Sequence, residues 1–392
     1  MVQILSSTLC TRFLPVMRMW PLYAAGFTTA FGAHAVAANL GGSSDDAVTS
    51  LLTLGLLLAL YDGAEVLLKP VFGTIADRIG ARPMLLFGLA GFAVASGIYV
   101  LVDRPGWLWV ARLGQGAAAS AFSPAASALV ARLNPTANHG RAFGSYGFYK
   151  SIGYTAGPLL GGGLVWLGGF RLLFGVMTVL AAGVAVWALI AVPAVPPLPR
   201  TRQTVLDLAR RITDPQFLRP TAALAAATAA LSVGVGFLPV TGASDGLGTI
   251  ATGAAVSLLA ATAAVVQPRT GRALDAGKLT TRTGIALGLG LAALGFVSAA
   301  LPGVAFLLVA SALIGAGTGI ITPLGFAALA ASTPPERLGQ TMGTAELGRE
   351  LGDAGGPLFV AAIATVAVLD AGYLALAVLL ALALLILRPA RS

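Results

Sequence analysis

Charge, cysteine and histidine are all scarce in this chain. Only 10% of its 392 residues are charged, whereas about 25% is usual for a soluble domain. The single cysteine, Cys10, excludes an intramolecular disulfide and a cysteine-based zinc site. The two histidines, His34 and His139, are not spaced with carboxylates in a zinc-binding pattern. We therefore expect neither a metal nor any other cofactor.

Motifs that define common enzymes are missing as well. The sequence has no glycine-rich loop ending in a phosphate-binding lysine and no nucleophile elbow. An enzyme is therefore disfavoured. The net charge of +9 would suit nucleic acid, but in so apolar a chain membrane topology explains it better. We expect no nucleic-acid partner.

Apolar residues, in contrast, are abundant. The chain is 57% hydrophobic, with a mean hydropathy of +0.87. Its apolar runs of about 20 residues are each long enough to cross a bilayer as a helix. These runs predict an all-α polytopic membrane protein embedded in the lipid bilayer. The twelve predicted spans are 15–39, 48–68, 83–102, 107–131, 142–167, 171–192, 217–240, 248–266, 283–300, 304–331, 341–365 and 368–388.

The distribution of lysine and arginine predicts the orientation in the membrane. Cytoplasmic loops carry an excess of these residues, and here only Arg104 and Arg171 lie in loops that follow odd-numbered spans. Nearly all the others lie on the side of both termini and of the long polar segment at 193–219. We therefore expect cytoplasmic termini in a multi-pass protein of the cell membrane, inner or plasma.

The two halves of the sequence repeat each other. Shifted by 199, residues 111–159 align without gaps onto 310–358 and share several prolines and glycines. Shifted by 198, KPVFGTIAD at 69–77 aligns with QPRTGRALD at 267–275 and shares Pro, Gly and Asp. Parallel repeats of this kind are typical of transporters. We expect an N-terminal six-helix bundle at 1–192, a cytoplasmic linker at 193–216 and a C-terminal six-helix bundle at 217–392.

The loop after the second span carries a motif of glycines and charges. It reads GTIADRIGAR at 73–82 and resembles the G-x3-D-R-x-G-R-K signature of the major facilitator superfamily, apart from Ala81, where a basic residue is usual. The resemblance covers essentially the whole chain and implies a transporter with two six-helix pseudo-repeats. The matching residues are Gly73, Asp77, Arg78, Gly80 and Arg82.

Two further motifs are similar to patterns of this family. RLGQG at 112–116 is similar to a motif whose buried arginine, here Arg112, is linked to proton transfer. The fifth span follows G-x8-G-x3-G-P-x2-G-G, which is associated with antiporters, chiefly twelve-helix drug/proton exchangers. This pattern implies gating through a bent helix, although tight helix packing explains it as well. Its residues are Gly144, Gly153, Gly157, Pro158, Gly161 and Gly162.

The resemblance also implies a role for Asp77. In the family this carboxylate faces a helix N-terminus, where the macrodipole favours an anion, and acts as a latch for the outward-open state. The alternative is a loop whose charges simply face the cytoplasm.

Charged residues at bilayer depth distinguish three of the spans. Four of them in span 11 share one face by the i, i+3, i+4, i+7 spacing and lie about 8 to 18 Å from its inner end at 1.5 Å per residue. Two acids of span 2 and a lysine of span 5 lie at comparable depth. Each such charge is costly in a bilayer and needs a partner. The members are Asp62, Glu65, Lys150, Glu346, Arg349, Glu350 and Asp353.

This layer predicts proton coupling, because its acids outnumber its bases by three. A carboxyl neutralised in turn by a proton and by Arg349 is what a proton-coupled carrier needs. Which acid carries the proton stays open, and fixed ion pairs are the alternative. We expect Glu65 and Glu346 to be shallow and partly hydrated, and Asp62 and Glu65 to be partners of Arg349.

Other polar residues of the spans also need partners. Arg112, a further coupling candidate, is expected to bind a carbonyl of span 1, His34 or Asn39. Three aromatic residues flank the lysine of span 5 and either stack on a flat or cationic substrate or pack between helices. They are Tyr146, Tyr149 and Tyr154.

Together these patterns predict a secondary active transporter. We expect it to export small amphipathic compounds in exchange for protons, by alternating access and as a monomer. A proton-coupled carrier of a specific metabolite or organic anion, with Lys150, Arg349 and Arg112 as ligands, remains an alternative. A non-transporting receptor or scaffold is disfavoured, because it would need an added soluble domain or a long tail.

Overall fold

The structure is a computed structural model that describes the backbone of residues 2–37, 47–102, 105–197 and 213–386. Most of the linker expected at 193–216 lies outside these ranges. The first six helices are α1 (Val2–Ala37), α2 (Ala47–Ile79), α3 (Ala81–Val102), α4 (Pro105–Arg132), α5 (139–167) and α6 (170–191). The other six are α7 (Pro215–Ser244), α8 (Thr249–Asp275), α9 (Thr281–Ala299), α10 (Val304–Ser332), α11 (Leu338–Val366) and α12 (Leu369–Ile386).

Helices α5 and α6 belong to one helical run, His139–Ala191, which two glycines interrupt. Gly168 has φ −159° and ψ 24°, and Gly169 has φ 67° and ψ −173°. Glycine adopts a positive φ at little cost because it has no Cβ. The interruption separates the two spans predicted at 142–167 and 171–192. The described part of the chain thus contains the twelve predicted helices.

The helices have the apolar character of membrane spans. Five described segments, including α3, α7, α9 and α10, are long and apolar enough to cross a bilayer by length and composition alone. Large apolar side chains such as Trp166 and Val366 are 85% and 87% exposed, as expected for a surface that faces lipid. Helix α11 is not among the five, because Arg349, Glu350 and Asp353 interrupt its apolar sequence.

The chain divides into two compact units. Unit 1 comprises Met1–Leu133, Ile152–Pro199 and Pro335–Gly343, and unit 2 comprises Asn134–Ser151, Arg200–Pro334 and Thr344–Ser392. The start of α11 therefore belongs to unit 1, and the start of α5 belongs to unit 2.

Equivalent glycines make equivalent contacts in the two units. In unit 1, a Cβ at Gly116 of α4 would lie 2.5 Å from the carbonyl oxygen of Tyr61 in α2. In unit 2, a Cβ at Gly315 of α10 would lie 2.3 Å from the carbonyl oxygen of Leu259 in α8. Small residues allow helix backbones in membranes to approach this closely. The repeat predicted from the sequence is therefore confirmed in the packing.

Candidate functional site

Asp77 lies at the end of α2 and binds the first turn of α11. Its Oδ1 accepts a hydrogen bond from the Gly339 amide at 2.8 Å, and its Oδ2 accepts one from the Gln340 amide at 2.8 Å. Amides in the first turn of a helix have no intrahelical acceptor, and the macrodipole favours an anion there. Asp77 is only 8% exposed. We call these three residues the Asp77 clamp; its role as a latch stays a prediction.

Glycines bring the two backbones of the Asp77 clamp together. A Cβ at Gly73 would lie 2.4 Å from the Gly339 carbonyl oxygen, and one at Gly339 would lie 2.5 Å from that of Gly73. Neither position has room for a side chain. Gly80 has φ 103°, a conformation that suits glycine where α2 ends and α3 begins.

The basic residues of this motif have different surroundings. Arg82 donates through Nη2 to the Leu189 carbonyl at 2.6 Å. Arg78 is exposed. Ala81, where the family signature has a basic residue, is buried as the first residue of α3. The motif therefore positions Asp77 mainly through backbone geometry.

A second carboxylate makes the same contact in unit 2. Asp275, at the end of α8, accepts hydrogen bonds from the amides of Gly140 at 2.8 Å and Arg141 at 2.7 Å. These amides belong to the first turn of α5. A Cβ at Gly271 would lie 2.0 Å from the Gly140 carbonyl oxygen. We call Asp275 with these two amides the Asp275 clamp. The sequence alone did not assign Asp275 a role. The Pro, Gly and Asp that 267–275 shares with 69–77 could have indicated this contact.

Unit 2 buries an ion cluster around Glu346. The Glu346 side chain is completely buried, and its Oε2 lies 3.6 Å from Lys150 Nζ and 3.1 Å from Arg349 Nη1. Both cations are about nine-tenths buried. The acid and Arg349 come from α11, and Lys150 comes from the start of α5. We call these three residues the Glu346 cluster.

Polar and aromatic neighbours complete the surroundings of Arg349. Its Nε donates to Thr228 Oγ1 of α7 at 3.3 Å. Its Cζ lies 5.7 Å from the ring centroid of Phe326 in α10, within the range of a cation–π contact. Phe326 in turn stacks on Phe143 of α5, with centroids 5.6 Å apart. Four helices of unit 2 thus contribute to the site.

The structure corrects the expected hydration of the charged layer. Glu346 and Glu65, expected to be partly hydrated, are 0% and 5% exposed. Asp62 and Asp353 are exposed, and Glu350 is half-buried. The buried layer therefore has no surplus of acids. Depth along a helix axis says how far a residue lies from the membrane surface, but burial depends on which helices cover it.

Unit 1 also buries charged residues. Lys69 donates to Glu65 one helical turn away. Arg112 is 1% exposed; its Cζ lies 4.1 Å from the Tyr61 ring centroid, and its Nη1 donates weakly to Gln115 Oε1 at 3.4 Å. Among the described residues a tyrosine ring and the nearby glutamine contact Arg112, and the expected contact with His34 or with a carbonyl of the first span is not found there. His34 lies instead with Nδ1 3.2 Å from the Ala30 carbonyl, and Asn39 is outside the described residues.

The tyrosines of α5 have different surroundings within the two units. Tyr154 belongs to unit 1 and contacts the His34 ring edge-on at a centroid distance of 4.4 Å. Tyr146 and Tyr149 belong to unit 2, where Tyr146 is buried and Tyr149 contacts Phe148 edge-on. A role of these tyrosines in binding a substrate stays a prediction.

The glycines of α5 pack tightly against neighbouring helices, as the packing alternative predicted. A Cβ at Gly144 would lie 2.6 Å from the Gln267 carbonyl oxygen of α8. Within unit 1, Gly153, Gly157 and Gly161 lie against α1, and a Cβ at Gly161 would lie 2.7 Å from Ala35 Cβ. Gly162 is half-buried, and Pro158 lies within the helix with an exposed side chain. Whether this region also acts as a gate stays a prediction.

A metal site is not evident within the described ranges, where no group of three His, Cys, Asp or Glu side chains could hold an ion. The carboxylates of the Asp77 and Asp275 clamps bind backbone amides. The charged residues of the Glu346 cluster pair with one another.

The described ranges contain twelve helices in two repeats with charges buried inside each, an architecture typical of membrane transporters. The chain belongs to the Major Facilitator Superfamily, whose family model matches residues 17–297 and 276–392. Membership of this family indicates a transporter.

Relatives of this chain include proteins named for drug resistance. It is 35% identical over 111 residues to the tetracycline resistance protein, class H, of Pasteurella multocida, which covers 28% of this chain and 27% of the relative. It is 34% identical over 141 residues to the multidrug resistance protein MdtH of Cronobacter sakazakii, covering 35% of each chain. The matches thus span only about a third, or less, of these curated relatives.

A solved structure shows the same fold over nearly the whole length. The human organic anion transporter MFSD10 (TETRAN) superposes with a TM-score of 0.81, covering 95% of this chain and 99% of that chain at 18% identity. At this identity the likeness concerns the fold alone.

Proposed function

We propose that the protein exports small amphipathic compounds in exchange for protons, by alternating access, and that Glu346 is its principal proton-coupling carboxylate. The observation that supports this assignment is the geometry of the Glu346 cluster. One carboxylate, 0% exposed, pairs with two cations that come from different helices.

The chemistry of the cluster links a proton to a rearrangement. When Glu346 takes up a proton, its negative charge disappears, and Lys150 and Arg349 remain buried without a counter-charge. A buried charge that loses its partner is destabilised by about 3–5 kcal/mol. The two cations must then move to water, to another acid or to a substrate. A single proton can therefore favour one arrangement of the helices over another.

The choice of substrate class rests on the relatives. Two of them carry the names tetracycline resistance protein and multidrug resistance protein. Because the matches are partial, tetracycline serves here as the first probe of a wider panel of amphipathic compounds.

Proteoliposomes with an imposed pH gradient test the proposal. The wild type should accumulate tetracycline, or another compound of the panel, when the gradient is the only driving force, and collapse of the gradient should abolish accumulation. Glu346→Gln should retain substrate counterflow but lose this accumulation, because its carboxamide cannot take up the proton. The matched control is Glu350→Gln, one helical turn further along α11, which should retain accumulation.

Two results would move or end the assignment. Full pH-driven accumulation by Glu346→Gln would remove Glu346 as the coupling site, and loss of accumulation by Glu350→Gln alone would transfer the role to Glu350. If Glu346→Gln does not fold, the double variant Glu346→Gln with Lys150→Gln keeps the net charge of the cluster unchanged. It should fold, retain counterflow and lack proton-driven accumulation.

A second candidate function is a proton-coupled carrier of an organic anion or a specific metabolite. The observation in its favour is that the Glu346 cluster holds two cations for one acid. An anionic group of a substrate would replace Glu346 as the partner of Arg349. In that case the proton and the substrate bind together, and the two should move in the same direction across the membrane. Exchange and co-transport are distinguished by whether substrate flux follows or opposes the imposed proton flux.

The orientation proposed from the sequence accompanies this function. We propose cytoplasmic termini, a cytoplasmic linker at 193–216 and a monomer as the transporting unit. Cysteine labelling of Gln203→Cys in a Cys10→Ser background tests the orientation. Residue 203 should react with a membrane-impermeant reagent only after the cells are opened, and labelling of intact cells would contradict the proposed orientation.

A further inference from the structure

A cavity of about 480 Å³ lies between α5 and α8 beside the Asp275 clamp. Arg141, Ser145, Pro268 and Arg272 line it. On α5, Arg141 and Ser145 are one turn apart, and on α8 Pro268 and Arg272 are one turn apart. The cavity therefore has one arginine and one smaller residue on each wall.

Both guanidinium groups are available to a ligand. Arg141 and Arg272 are exposed, and Arg272 uses only Nε, which donates to the Pro268 carbonyl at 3.1 Å. Within the described ranges, no hydrogen bond or ion pair is recorded for the Arg141 guanidinium. Arg269 adds a third exposed cation on α8, with its Nη1 bound to the Val265 carbonyl.

The adjacent acid offsets only one of the two positive charges. Asp275 follows Arg272 by three residues, but each of its carboxylate oxygens accepts a backbone amide, from Gly140 or from Arg141. The half-buried carboxylate is thus held at the N-terminus of α5. The cavity is left with an excess of positive charge.

The repeat shows that the clamp does not require these arginines. In unit 1 the equivalent of Arg272 is Thr74, and the equivalent of Arg141 is Gln340. Thr74 Oγ1 donates to the Pro70 carbonyl at 2.8 Å, as Arg272 does to Pro268. The Asp77 clamp therefore forms with uncharged side chains at both positions. Arginine at both positions is thus found at the clamp of unit 2 and not at that of unit 1.

We infer that this cavity binds a phosphate group, supplied by the headgroup of an anionic phospholipid. Guanidinium groups bind phosphate oxygens in pairs of parallel hydrogen bonds, and the Ser145 hydroxyl is a further donor. The cavity lies at the ends of α5 and α8, where membrane helices reach the headgroup region. A phosphate bridging Arg141 and Arg272 would hold together the helices that the Asp275 clamp joins. This inference does not depend on the transported substrate.

Thermal unfolding of the purified full chain tests this inference. The protein in detergent is titrated with dioleoylphosphatidylglycerol, with dioleoylphosphatidylcholine or with inorganic phosphate, and the unfolding midpoint is recorded. Phosphatidylglycerol should raise the midpoint of the wild type in a saturable manner, whereas phosphatidylcholine should not. The variant Arg141→Gln with Arg272→Thr, which introduces the residues of unit 1, should need about thirtyfold more phosphatidylglycerol, from roughly fivefold per arginine.

Matched variants distinguish binding in the cavity from general attraction of the anionic lipid to a positively charged protein. Arg282→Gln removes an exposed arginine in the first turn of α9, outside the cavity, and should respond as the wild type does. Arg141→Lys with Arg272→Lys keeps the charge but loses the paired hydrogen bonds, so it should need more phosphatidylglycerol than the wild type and less than the Gln/Thr double variant. Equal loss in Arg282→Gln, or a wild-type response in the Gln/Thr double variant, would overturn the inference. If the double variant does not fold, Arg272→Thr alone, with bound lipid counted by native mass spectrometry, gives the same test.

The inorganic phosphate titration separates the two sources of the ligand. Stabilisation by the lipid but not by phosphate up to about 10 mM supports the headgroup, because two surface arginines bind free phosphate weakly. Equal stabilisation by phosphate alone would overturn the assignment to a lipid.

Discussion

The Asp77 clamp and the Asp275 clamp have the same backbone arrangement in different surroundings. In each, a carboxylate at the end of one helix accepts two consecutive amides in the first turn of another. A pair of facing glycines allows the approach in both. Asp77 is buried, whereas Asp275 is half-buried beside a cavity lined by two arginines.

This difference shows which parts of the clamp are necessary for its geometry. The parts common to both are an aspartate, two free amides and two glycines. The surrounding side chains differ in charge and in size, so they do not determine the contact. They are therefore free to serve another purpose, such as the phosphate site inferred for unit 2.

The largest loss of stability is expected when a side chain is introduced at a glycine where two helix backbones are in close contact. Gly271→Ala would place a Cβ 2.0 Å from the Gly140 carbonyl oxygen, so α5 and α8 must separate and Asp275 must lose its amides. We expect a loss of stability of about 3 kcal/mol, the upper part of the range for overpacking. Thermal unfolding and transport by the purified variant measure the effect.

A glycine of α8 that makes no close contact provides the control for the close contact at Gly271. Nothing lies within 4 Å of a Cβ at Gly253 of α8, so Gly253→Ala should unfold at the wild-type temperature or above it. Gly73→Ala tests the equivalent approach in unit 1 and should be as harmful as Gly271→Ala. Tolerance of both clamp substitutions would mean that the helices need not approach so closely.

The next effect in size is expected at the buried carboxylate. Asp77→Asn keeps one acceptor oxygen but turns an amide group toward one of the two helix amides, which is then left unsatisfied. An unsatisfied buried donor is destabilising by about 1–3 kcal/mol. Transport should fall while expression and membrane insertion stay near wild type. Unchanged transport would mean that Asp77 is only one of the charges by which its loop faces the cytoplasm.

A smaller effect is expected at the half-buried carboxylate. In Asp275→Asn, water can reach the amide that loses its partner, so the loss of stability should be about 1 kcal/mol or less. The order of the two variants in thermal unfolding is the informative measurement. Equal effects, or a larger effect at Asp275, would show that burial of the carboxylate does not set the strength of the clamp.

The smallest effect is expected from a contact that only unit 1 has. Arg132 donates through Nη2 to the Pro335 carbonyl at 2.8 Å in an exposed position, and the equivalent residue in the repeat is Ala331. Arg132→Gln should therefore change the free energy of unfolding by about 0.5 kcal/mol at most. A change as large as that of Asp77→Asn would make Arg132 a necessary part of the first clamp.

The predictions that succeeded depended on local or periodic features. Apolar runs about as long as the bilayer is thick predicted the helices, since no other backbone form spans lipid without closing into a barrel. The spans predicted at 142–167 and 171–192 are separated in the structure at Gly168 and Gly169. The shared register of prolines and glycines predicted the repeat, because equivalent close approaches need equivalent small residues.

The predictions that failed depended on which helices lie side by side. Glu346 was placed near the surface from its distance along α11, but Lys150 of α5 and its other neighbours in unit 2 bury it. Arg112 was matched with residues of the first span, whereas the Tyr61 ring covers it. The Asp275 clamp was missed although its sequence equivalent was recognised.

By itself, the sequence determined the membrane location, the twelve helices, the repeat and the membership of a transporter family. These properties follow from residue type and from spacing along one chain. Only the tertiary structure decided that Glu346 lies between two cations, that Asp275 repeats the contact of Asp77, and that two arginines face one cavity. The physical reason is that burial and ion pairing are properties of neighbours in space. A helix presents its side chains in every direction, and its own sequence does not specify what lies opposite each of them.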